Sequence, residues 1–496
     1  MKLDKINTIY FLGIGGIGMS ALARFFLFQG KKVYGYDLTA SEITSQLITE
    51  GAQIHFEEDT SQIPTNVDVV VYTPAVSKEH AEYQYFIKNQ IPILKRSEIL
   101  GTICSNYPTI AIAGTHGKTT TTAMVTQILA NNLSPSNFEG VPEGRGSLYK
   151  NLTLLRSYGL TVLSFIGGIA KNFNSNFICE PDFDTVIVEA DEYDRSFLTL
   201  HPQVAVITSL DADHLDVYGD RKHLVESFQL FANQIQPDGV LVIYDEIAEQ
   251  IEHPNKVTYG FSEEADYQIY LSSKTIFELK YKLPRPSGTP SKFEGDMLPP
   301  FALNVPGKHN ILNAVAALAA SIEFSIWKDK NVDVLNLFST YKEKLSGFTG
   351  VKRRFDIRIQ HDDFVYIDDY AHHPEAIKAF LDAVKNSYPA KKLTGVFQPH
   401  LYSRTRDFAQ EFAEALEILD EIILLDIYPA REKPIGRITS NYLLSLIKNE
   451  NKKLFKKEEL ITHLQQNKPE ILLTMGAGDI DRLVKIIESI LPLLLK

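Results

Sequence analysis

Short apolar runs alternate with segments of helical periodicity along much of the chain. Such runs, where turn residues bound them, are typical of strands that are buried in a sheet. The pattern predicts strands over 9–12, 33–36, 67–72, 109–113, 185–188, 204–208, 365–367, 393–397, 422–425 and 471–474. Because helical segments separate these strands, we expect an α/β protein with largely parallel sheets, in three domains over 1–107, 108–346 and 347–496.

The N-terminal segment allows two interpretations. An apolar run that follows two lysines and ends near Ala-Leu-Ala is similar to a secretory signal peptide. Gly13, Gly15, Gly16 and Gly18 would interrupt an apolar helix, whereas a strand, a glycine-rich turn and a helix from Ile17 explain the same residues without strain. We therefore expect the second arrangement.

Length and composition narrow the class of protein. The 496 residues are 44% hydrophobic and 23% charged, which excludes a disordered, collagen-like or disulfide-rich chain. Two cysteines, Cys104 and Cys179, fit the reducing cytoplasm. The net charge of -12 offers no general attraction for nucleic acid or anionic lipid. The sequence contains no run of 18 apolar residues, so it predicts no membrane-spanning helix. An anionic ligand must therefore be held by local chemistry.

Residues 109–124, TIAIAGTHGKTTTTAM, read as a buried strand, a glycine-containing loop and a helix. In a P-loop, backbone N–H groups surround phosphate, the lysine neutralises its charge and the following hydroxyl binds Mg²⁺. Ile112 stands where the usual pattern has its first glycine, so this loop is a shorter variant; a tight turn without a ligand is the alternative. The candidate ATP-binding residues here are Gly114, Thr115, His116, Gly117, Lys118, Thr119 and Thr120.

Two acidic clusters follow predicted strands downstream of this loop. Hard oxygen ligands with one imidazole suit Mg²⁺ held against ATP phosphates. Each cluster alone would more simply be a solvated loop, but two at strand ends favour a metal site. The residues are Glu189, Asp191, Glu192 and Asp194 in the first cluster, and Asp211, Asp213, His214 and Asp216 in the second.

The glycines from Gly13 to Gly18 lie between a strand and a helix, and Asp37 ends the next strand. This spacing predicts a diphosphate-bearing ligand at the helix start, but it does not distinguish NAD from a nucleotide sugar. Further along, Asn310 and Asn313 share one helix face, where their amides would match an adenine edge. Helix capping by Asn310 is an equally good explanation.

In the last third, polar side chains again follow two strands. Of the adjacent histidines His372 and His373, we expect at most one to contact a ligand. An arginine fork suits carboxylate or phosphate, although one arginine could simply pair with Asp407. The group comprises Asp368, Asp369, His372, His373, His400, Arg404 and Arg406.

Taken together, the motifs AGTHGKTTTTAM, EADEYDRSFL, DADHLDVYG, GKHNILNAVAA, VKRRFD, DDYAHHPE, FQPHLYSRTRD and MGAGDI resemble, in this order, the three-domain Mur ligases of peptidoglycan synthesis. GIGGIGMSALA and LDIYPAREKPIGRITS look most like the branch that adds L-alanine. The resemblance covers essentially the whole chain. It implies a Rossmann-like N-terminal domain for UDP, a central P-loop ATPase domain with a mainly parallel sheet, and a Rossmann-like C-terminal domain that closes over the site.

The resemblance also implies roles for single residues. Lys118 would meet the β- and γ-phosphates, Thr119, Glu189 and His214 would bind two Mg²⁺ ions, and Asn310 with Asn313 would hold adenine. Arg354, or its neighbour Arg353, would lie near the nucleotide. Asp369 would bind ATP. The residues implied for the UDP-sugar are Gly13, Gly15, Gly16, Gly18, Asp37, Tyr370, His372 and His400. The residues implied for catalysis are Lys118, His372 and Arg404.

Three departures from the family pattern stand out. Leu401 replaces an arginine that some relatives carry, so one contact is missing or supplied elsewhere. The segment 133–160 is longer than usual, which predicts a surface insertion. No lysine after the DADH motif suits a carbamylated metal ligand, which agrees with the alanine-adding branch.

The implied reaction uses ATP to convert the carboxylate of UDP-N-acetylmuramate to an acyl phosphate, which the amine of L-alanine attacks, in a cytoplasmic monomer or homodimer. A related ligase that joins a preformed peptide to the same UDP-sugar is the nearest alternative. The glycine motif alone would also fit a nicotinamide oxidoreductase, which leaves the P-loop and acidic clusters unexplained. A catalytically silent nucleotide-binding scaffold would be expected to lack Lys118 or Glu189, and both are present.

Overall fold

The computed structural model describes residues 3–131, 160–211, 218, 220–272, 276–281, 298, 300–430 and 432–491. The predicted insertion at 133–160 lies outside these residues except for Leu160. The described chain forms two compact units, Met1–Asn304 with Leu312–Thr349, and Val305–Ile311 with Gly350–Lys496.

The first unit begins with a five-stranded sheet in the order β3-β2-β1-β4-β5, in which all neighbours are parallel. The predicted strands at 9–12, 33–36 and 67–72 are confirmed to within two residues, and a helix begins at Ile17 as expected. The strands are β1 Thr8–Leu12, β2 Lys32–Tyr36, β3 Gln53–His55, β4 Val69–Tyr72 and β5 Ile93–Lys95; the helices are α1 Ile17–Phe28, α2 Glu42–Thr49, α3 Ala81–Lys88 and α4 Arg96–Cys104.

The same unit contains a ten-stranded sheet in the order β15-β14-β13-β12-β11-β10-β6-β9-β7-β8. Its centre is parallel, while β7 with β8 and the β13-β14-β15 edge are antiparallel. The strands are β6 Thr109–Ala113, β7 Val162–Ala170, β8 Ser175–Cys179, β9 Thr185–Glu189, β10 Val204–Ile207, β11 Val240–Tyr244, β12 Lys256–Gly260, β13 Tyr267–Leu271, β14 Ile276–Tyr281 and β15 Phe301–Ala302; the helices are α5 Lys118–Leu129, α6 Arg221–Ala232, α7 Lys308–Lys328, whose first turn belongs to the second unit, and α8 Val334–Ser346.

The second unit contains a six-stranded sheet in the order β16-β17-β21-β18-β19-β20, in which only β16 and β17 pair antiparallel. The α/β class with largely parallel sheets is therefore confirmed. The strands are β16 Asp356–His361, β17 Phe364–Asp369, β18 Leu393–Phe397, β19 Glu421–Leu424, β20 Lys452–Leu454 and β21 Ile471–Met475; the helices are α9 Pro374–Ser387, α10 Tyr402–Asp407, α11 Ala409–Leu416, α12 Ser440–Leu446, α13 Lys457–Gln466 and α14 Asp481–Ile490.

Helix α1 joins the two sheets of the first unit. It is apolar on nearly every side because it packs on its own sheet and also on the β7–β8 hairpin, where Phe25 contacts Phe165. Arg24, only 7% exposed, binds Glu50 beyond the helix and donates to Asn176 of β8. Since Asn176 also donates to the carbonyl of Ile17, polar and apolar contacts fix this helix between the sheets.

Helix α7 is the one described helix that is long and apolar enough to cross a membrane. In its most apolar window, 83% of the residues are buried inside the protein. A core helix passes such a test because it is apolar on all sides, so this finding is weak evidence for a membrane span.

Candidate active site

The loop between β6 and α5 has the geometry of a phosphate-binding turn. Gly117 precedes α5 with φ of 82°, and a Cβ there would lie 2.4 Å from Oδ1 of Asn313. Glycine is therefore required for both the backbone conformation and the close approach. The first turn of α5 directs its unpaired backbone N–H groups toward this loop, as anion binding at a helix N-terminus requires.

The side chain of Lys118 is largely buried at the mouth of this loop, with 14% of it exposed. Its Nζ lies 2.7 Å from the carbonyl oxygen of Gly114 and 2.9 Å from Oε1 of Glu192. Burial alone would lower the pKa of Lys118, but the carboxylates of Glu192, Glu189 and Asp191 outweigh it and raise the pKa above its ordinary value. The lysine therefore carries a full positive charge at neutral pH.

Glu189, at the end of β9, faces the start of α5. The hydroxyl of Thr119 donates to Oε1 of Glu189 at 3.1 Å, and the backbone N–H of Gly167 in β7 donates to its other oxygen at 2.9 Å. A hydroxyl and a carboxylate thus lie together beside Lys118. Both are hard oxygen donors of the kind that Mg²⁺ prefers.

The end of β10 anchors the phosphate-binding loop. The hydroxyl of Ser209 accepts from the backbone N–H of His116 at 2.8 Å and lies 2.9 Å from the hydroxyl of Thr115. Thr115 also accepts from the backbone N–H of Asp211 at 3.0 Å. The second acidic cluster therefore begins next to the loop, whereas Asp213, His214, Asp216 and the side chain of Asp194 lie outside the described residues.

Asn310 and Asn313 are both buried on α7. Oδ1 of Asn313 accepts from the hydroxyl of Thr121 at 3.3 Å, which places this amide against the first turn of α5. Asn310 is the third residue of the helix and donates to the carbonyl of Pro306 at 2.7 Å. The capping explanation for Asn310 is therefore wrong, because the helix begins two residues earlier.

The N-terminal glycine loop is also organised around a carboxylate. Oδ2 of Asp37 accepts from the backbone N–H of Gly15 at 2.7 Å, between β1 and α1. A Cβ on Gly18 would lie 3.0 Å from a guanidinium nitrogen of Arg96, so this arginine lies along the first turn of α1. Arg96 in turn pairs with Asp191 at 3.0 Å, which connects the glycine loop to the acidic cluster.

In the second unit, two neighbouring arginines have different surroundings. Nε of Arg353 binds Asp368 at 3.0 Å and its Nη2 donates to the carbonyl of Gly476, so its guanidinium holds strand ends together. Both guanidinium groups lie near the Tyr370 ring, at 4.9 Å from its centroid for Arg354 and 5.3 Å for Arg353, but Arg353 is already held by these strand-end contacts. Of the two alternatives left by the sequence, Arg354 is therefore the better placed to meet a ligand.

Asp369 is buried at the end of β17. Its oxygens accept from the backbone N–H groups of Phe355 and Ala371 at 2.6 and 2.7 Å. Burial raises the pKa of Asp369 to about 6, against the opposing effect of Arg354 and these two hydrogen bonds. The carboxylate therefore shapes the turn that carries Tyr370 and the histidines.

The adjacent histidines His372 and His373 have different surroundings. His373 is buried before α9 and packs on Phe408 at 4.7 Å between ring centroids. His372 is partly exposed, its Nδ1 lies 2.9 Å from the carbonyl of Tyr370, and its ring is 6.1 Å from that of His400. His400 itself stacks on Tyr428.

Of the two arginines in α10, the expected surface pair is formed by Arg406. Its Nε and Nη2 bind the carboxylate of Asp407 at 2.6 and 3.0 Å. Arg404 is half-buried on the same short helix. Leu401 precedes this helix with φ of 72°, a conformation that a leucine rarely adopts.

Sequence reasoning missed several residues that shape these sites. Arg96 follows β5, a strand of three residues that is too short to predict from its apolar pattern. Ser209 precedes the second acidic cluster and carries no motif of its own, although its hydroxyl holds the loop. Gly167 has no side chain to suggest a role. A long-range backbone contact such as that between Gly167 and Glu189 leaves no local signal.

The chain is similar in sequence to one protein family over nearly its whole length. Three family descriptions match: "Mur ligase family, catalytic domain" over residues 8–108, "Mur ligase middle domain" over 112–321 and "Mur ligase, glutamate ligase domain" over 353–478. A UDP-N-acetylmuramate--L-alanine ligase of Flavobacterium johnsoniae is 41% identical over 499 residues, covering 99% of this chain and 99% of that protein.

Two solved structures are similar over nearly their whole length. The UDP-N-acetylmuramate-alanine ligase MurC of Thermotoga maritima matches with a TM-score of 0.74 at 25% identity, covering 97% of this chain and 98% of that one. A murein peptide ligase of Psychrobacter arcticus matches with a TM-score of 0.68 at 21% identity and 98% coverage of both chains, a likeness of fold alone. The chain belongs to the Mur ligase family.

Proposed function

We propose that this protein joins L-alanine to the carboxylate of UDP-N-acetylmuramate at the expense of ATP, in peptidoglycan synthesis in the cytoplasm. The observation that carries this proposal is the largely buried Lys118 in its glycine loop, beside Glu189 and Thr119, in a chain similar over its whole length to L-alanine ligases. We further assign residues 1–107 to a UDP-sugar-binding domain, residues 108–346 to the ATPase domain and residues 347–496 to the C-terminal domain. In support, each of the three sheets falls within one of these ranges.

For ATP, we assign the phosphates to the loop Gly114–Thr120, with Lys118 at the β- and γ-phosphates. Backbone N–H groups and one ammonium suit a polyphosphate that a chain of net charge -12 would otherwise repel. Asn310 and Asn313 are assigned to the adenine edge, and Arg354 and Asp369 to the rest of the nucleotide. The placement of Asn313 against α5 supports its share of this assignment.

For the UDP-sugar, we assign the diphosphate to the loop with Gly13, Gly15, Gly16 and Gly18. Asp37 would hold the far part of the nucleotide, as the acid after the second strand does in related dinucleotide sites. Its bond to the N–H of Gly15 supports this placement, since it keeps the carboxylate at the loop. Tyr370, His372 and His400 are assigned to the sugar end of the substrate.

The residues present fit Mg²⁺. Thr119 and Glu189 bring a hydroxyl and a carboxylate oxygen within 3.1 Å of each other next to Lys118, and His214 is the assigned third ligand. Among the residues that the structure describes, no group of three His, Cys, Asp or Glu side chains is gathered for a metal. When bound, Mg²⁺ would neutralise charge on the ATP phosphates.

The chemistry follows from the weakness of a carboxylate as an acylating group. Transfer of the γ-phosphoryl group to a carboxylate oxygen gives an acyl phosphate and ADP. The amine then attacks the acyl carbon, and the resulting tetrahedral intermediate expels phosphate with that oxygen. Lys118 stabilises charge on the transferred group, and most of the remaining rate enhancement comes from positioning.

The amine must lose a proton, and we assign its acceptance to His372. An Nδ1–H that donates to the carbonyl of Tyr370 leaves the ring lone pair on Nε2, the tautomer of a general base. Arg404 is assigned to the anionic groups of the reaction, because a guanidinium fork matches carboxylate and phosphate.

The proposal is tested by phosphate release from ATP in the presence of UDP-N-acetylmuramate, Mg²⁺ and a panel of L-alanine, glycine, L-serine and a cell-wall tripeptide. We expect release that depends on L-alanine, and none from a Lys118→Ala variant that remains folded by circular dichroism. Release with the tripeptide but not with L-alanine would instead identify a peptide-joining ligase. Full activity of Lys118→Ala would reject the P-loop assignment.

A further inference from the structure

The carboxylate of Glu192 has no task in the chemistry described so far. Its side chain is fully buried, and Oε1 lies 2.9 Å from Nζ of Lys118, which is itself only 14% exposed. A buried carboxylate that loses its partner is strongly destabilised. The pairing of these two residues is therefore a specific feature of the phosphate-binding loop.

The backbone around Glu192 is held in place. Its carbonyl oxygen accepts from the backbone N–H of Arg195 at 2.9 Å and from the hydroxyl of Tyr218. The preceding residue, Asp191, is fixed by Arg96 and by the N–H of Tyr193. The carboxylate of Glu192 therefore approaches Lys118 from a segment that is anchored on both sides.

The contacts of Lys118 leave a definite direction for a phosphate. An ammonium has three N–H donors. One is used by the carbonyl of Gly114 and a second by Glu192. These two acceptors orient the third N–H, and they also keep the ammonium from following a phosphate oxygen out of the loop.

We propose that Glu192 is a positioning residue that holds the ammonium of Lys118 for the phosphoryl group in the transition state. This inference rests on the proposed ATP-dependent function. In the ground state, the negative charge of Glu192 repels the ATP phosphates, because it lies beside the ammonium that binds them. Holding Lys118 in place thus weakens ATP binding while it favours phosphoryl transfer.

The test is Glu192→Gln, which keeps the size of the side chain and one acceptor oxygen but removes the charge. We expect kcat to fall about tenfold or more and the Kd of a non-hydrolysable ATP analogue to fall about threefold or more. A residue that only maintains the fold would not lower kcat and tighten nucleotide binding together. The KM for UDP-N-acetylmuramate should stay within about twofold of the parent value.

Glu180→Gln is the matched control. Glu180 is also a buried carboxylate of the first unit, but it binds the backbone N–H groups of Asn131 and Val162. We expect this variant to lose thermal stability with kcat and analogue Kd unchanged. Glu192→Asp, which keeps the charge but shortens the side chain, should restore the parent Kd without restoring kcat.

Two outcomes would overturn the proposal. One is a Glu192→Gln variant whose kcat stays within about twofold of the parent. The other is a parallel rise in analogue Kd and in the KM for UDP-N-acetylmuramate with a lowered melting temperature, which would indicate a structural role only. Failure of the proposed ligase activity is recognised separately, because the parent protein would then bind the ATP analogue but show no turnover that depends on L-alanine.

Discussion

At the scale of single residues, Gly167 shows how a position without a side chain can control a functional carboxylate. Its N–H fixes one oxygen of Glu189, while a Cβ at this position would lie 2.2 Å from that same oxygen. Gly167→Ala must therefore push Glu189 away from Thr119. We expect kcat to fall by about two orders of magnitude, because a displacement of about 1 Å at a reacting site has effects of that size.

The control for this prediction is Gly347→Ala. Gly347 has an ordinary φ of -80°, and a Cβ there would approach no atom closer than 3.4 Å. Its activity should match that of the parent in the same phosphate-release assay. Equal activities of Gly167→Ala and the parent would contradict the placement of Glu189 in the reaction.

Functional residues were predictable from the sequence where they belong to a short motif. Lys118, Thr119 and Glu189 were predicted together, and the structure brings them together. The pairing of Lys118 with Glu192 and of Arg96 with Asp191 was not predicted. Each joins residues more than 70 positions apart, and such pairing depends on the packing of the sheets rather than on local pattern.

At the scale of elements, α7 carries a charge into the apolar core. Glu323 is buried, and its Oε1 accepts from the hydroxyl of Tyr267 in β13 at 2.9 Å. Burial raises the pKa of Glu323 to about 7, although the hydrogen bond from Tyr267 acts in the opposite direction. Because the pKa of Glu323 is higher in the folded state than in the unfolded chain, ionisation of Glu323 lowers the free energy of unfolding above pH 7. This loss of stability becomes smaller as the pH falls below 7.

Glu323→Gln keeps an acceptor for Tyr267 but removes the charge, so its effect on stability should depend on pH. The variant should be more stable than the parent by up to about 3 kcal/mol at pH 8, and by less than about 1 kcal/mol at pH 5. Urea unfolding across this range provides the measurement, with exposed Glu343→Gln as a control. A stability difference that does not change with pH would contradict the buried, ionisable state of Glu323.

Elements were predictable from the sequence where they are long or central. The strands at 109–113 and 393–397 were predicted to the residue, because both are wholly buried and bounded by clear turns. β3, β5 and β20 have only three residues each and are partly exposed at sheet edges, so no apolar run marks them. The β7–β8 hairpin follows the long segment 133–160, which obscured its pattern.

Over the whole molecule, the net charge is negative, but the local distribution of charge still allows anionic ligands to bind. The chain has 62 acidic and 50 basic residues, yet cations lie at both of the predicted anion sites. Arg96 lies along the start of α1 and Lys118 begins α5. Asp191 and Glu192, neighbours in one motif, neutralise these two cations, so one short segment serves both sites of the first unit.

A ligase of this kind makes its amide bond by way of an acyl phosphate. The most direct measurement uses UDP-N-acetylmuramate labelled with ¹⁸O in its carboxylate, together with ATP, Mg²⁺ and L-alanine. With both carboxylate oxygens labelled, mass spectrometry of the products should find one ¹⁸O in each phosphate released and one in the new amide of the alanyl product. Unlabelled phosphate, or label retained wholly in the sugar nucleotide, would rule out an acyl phosphate.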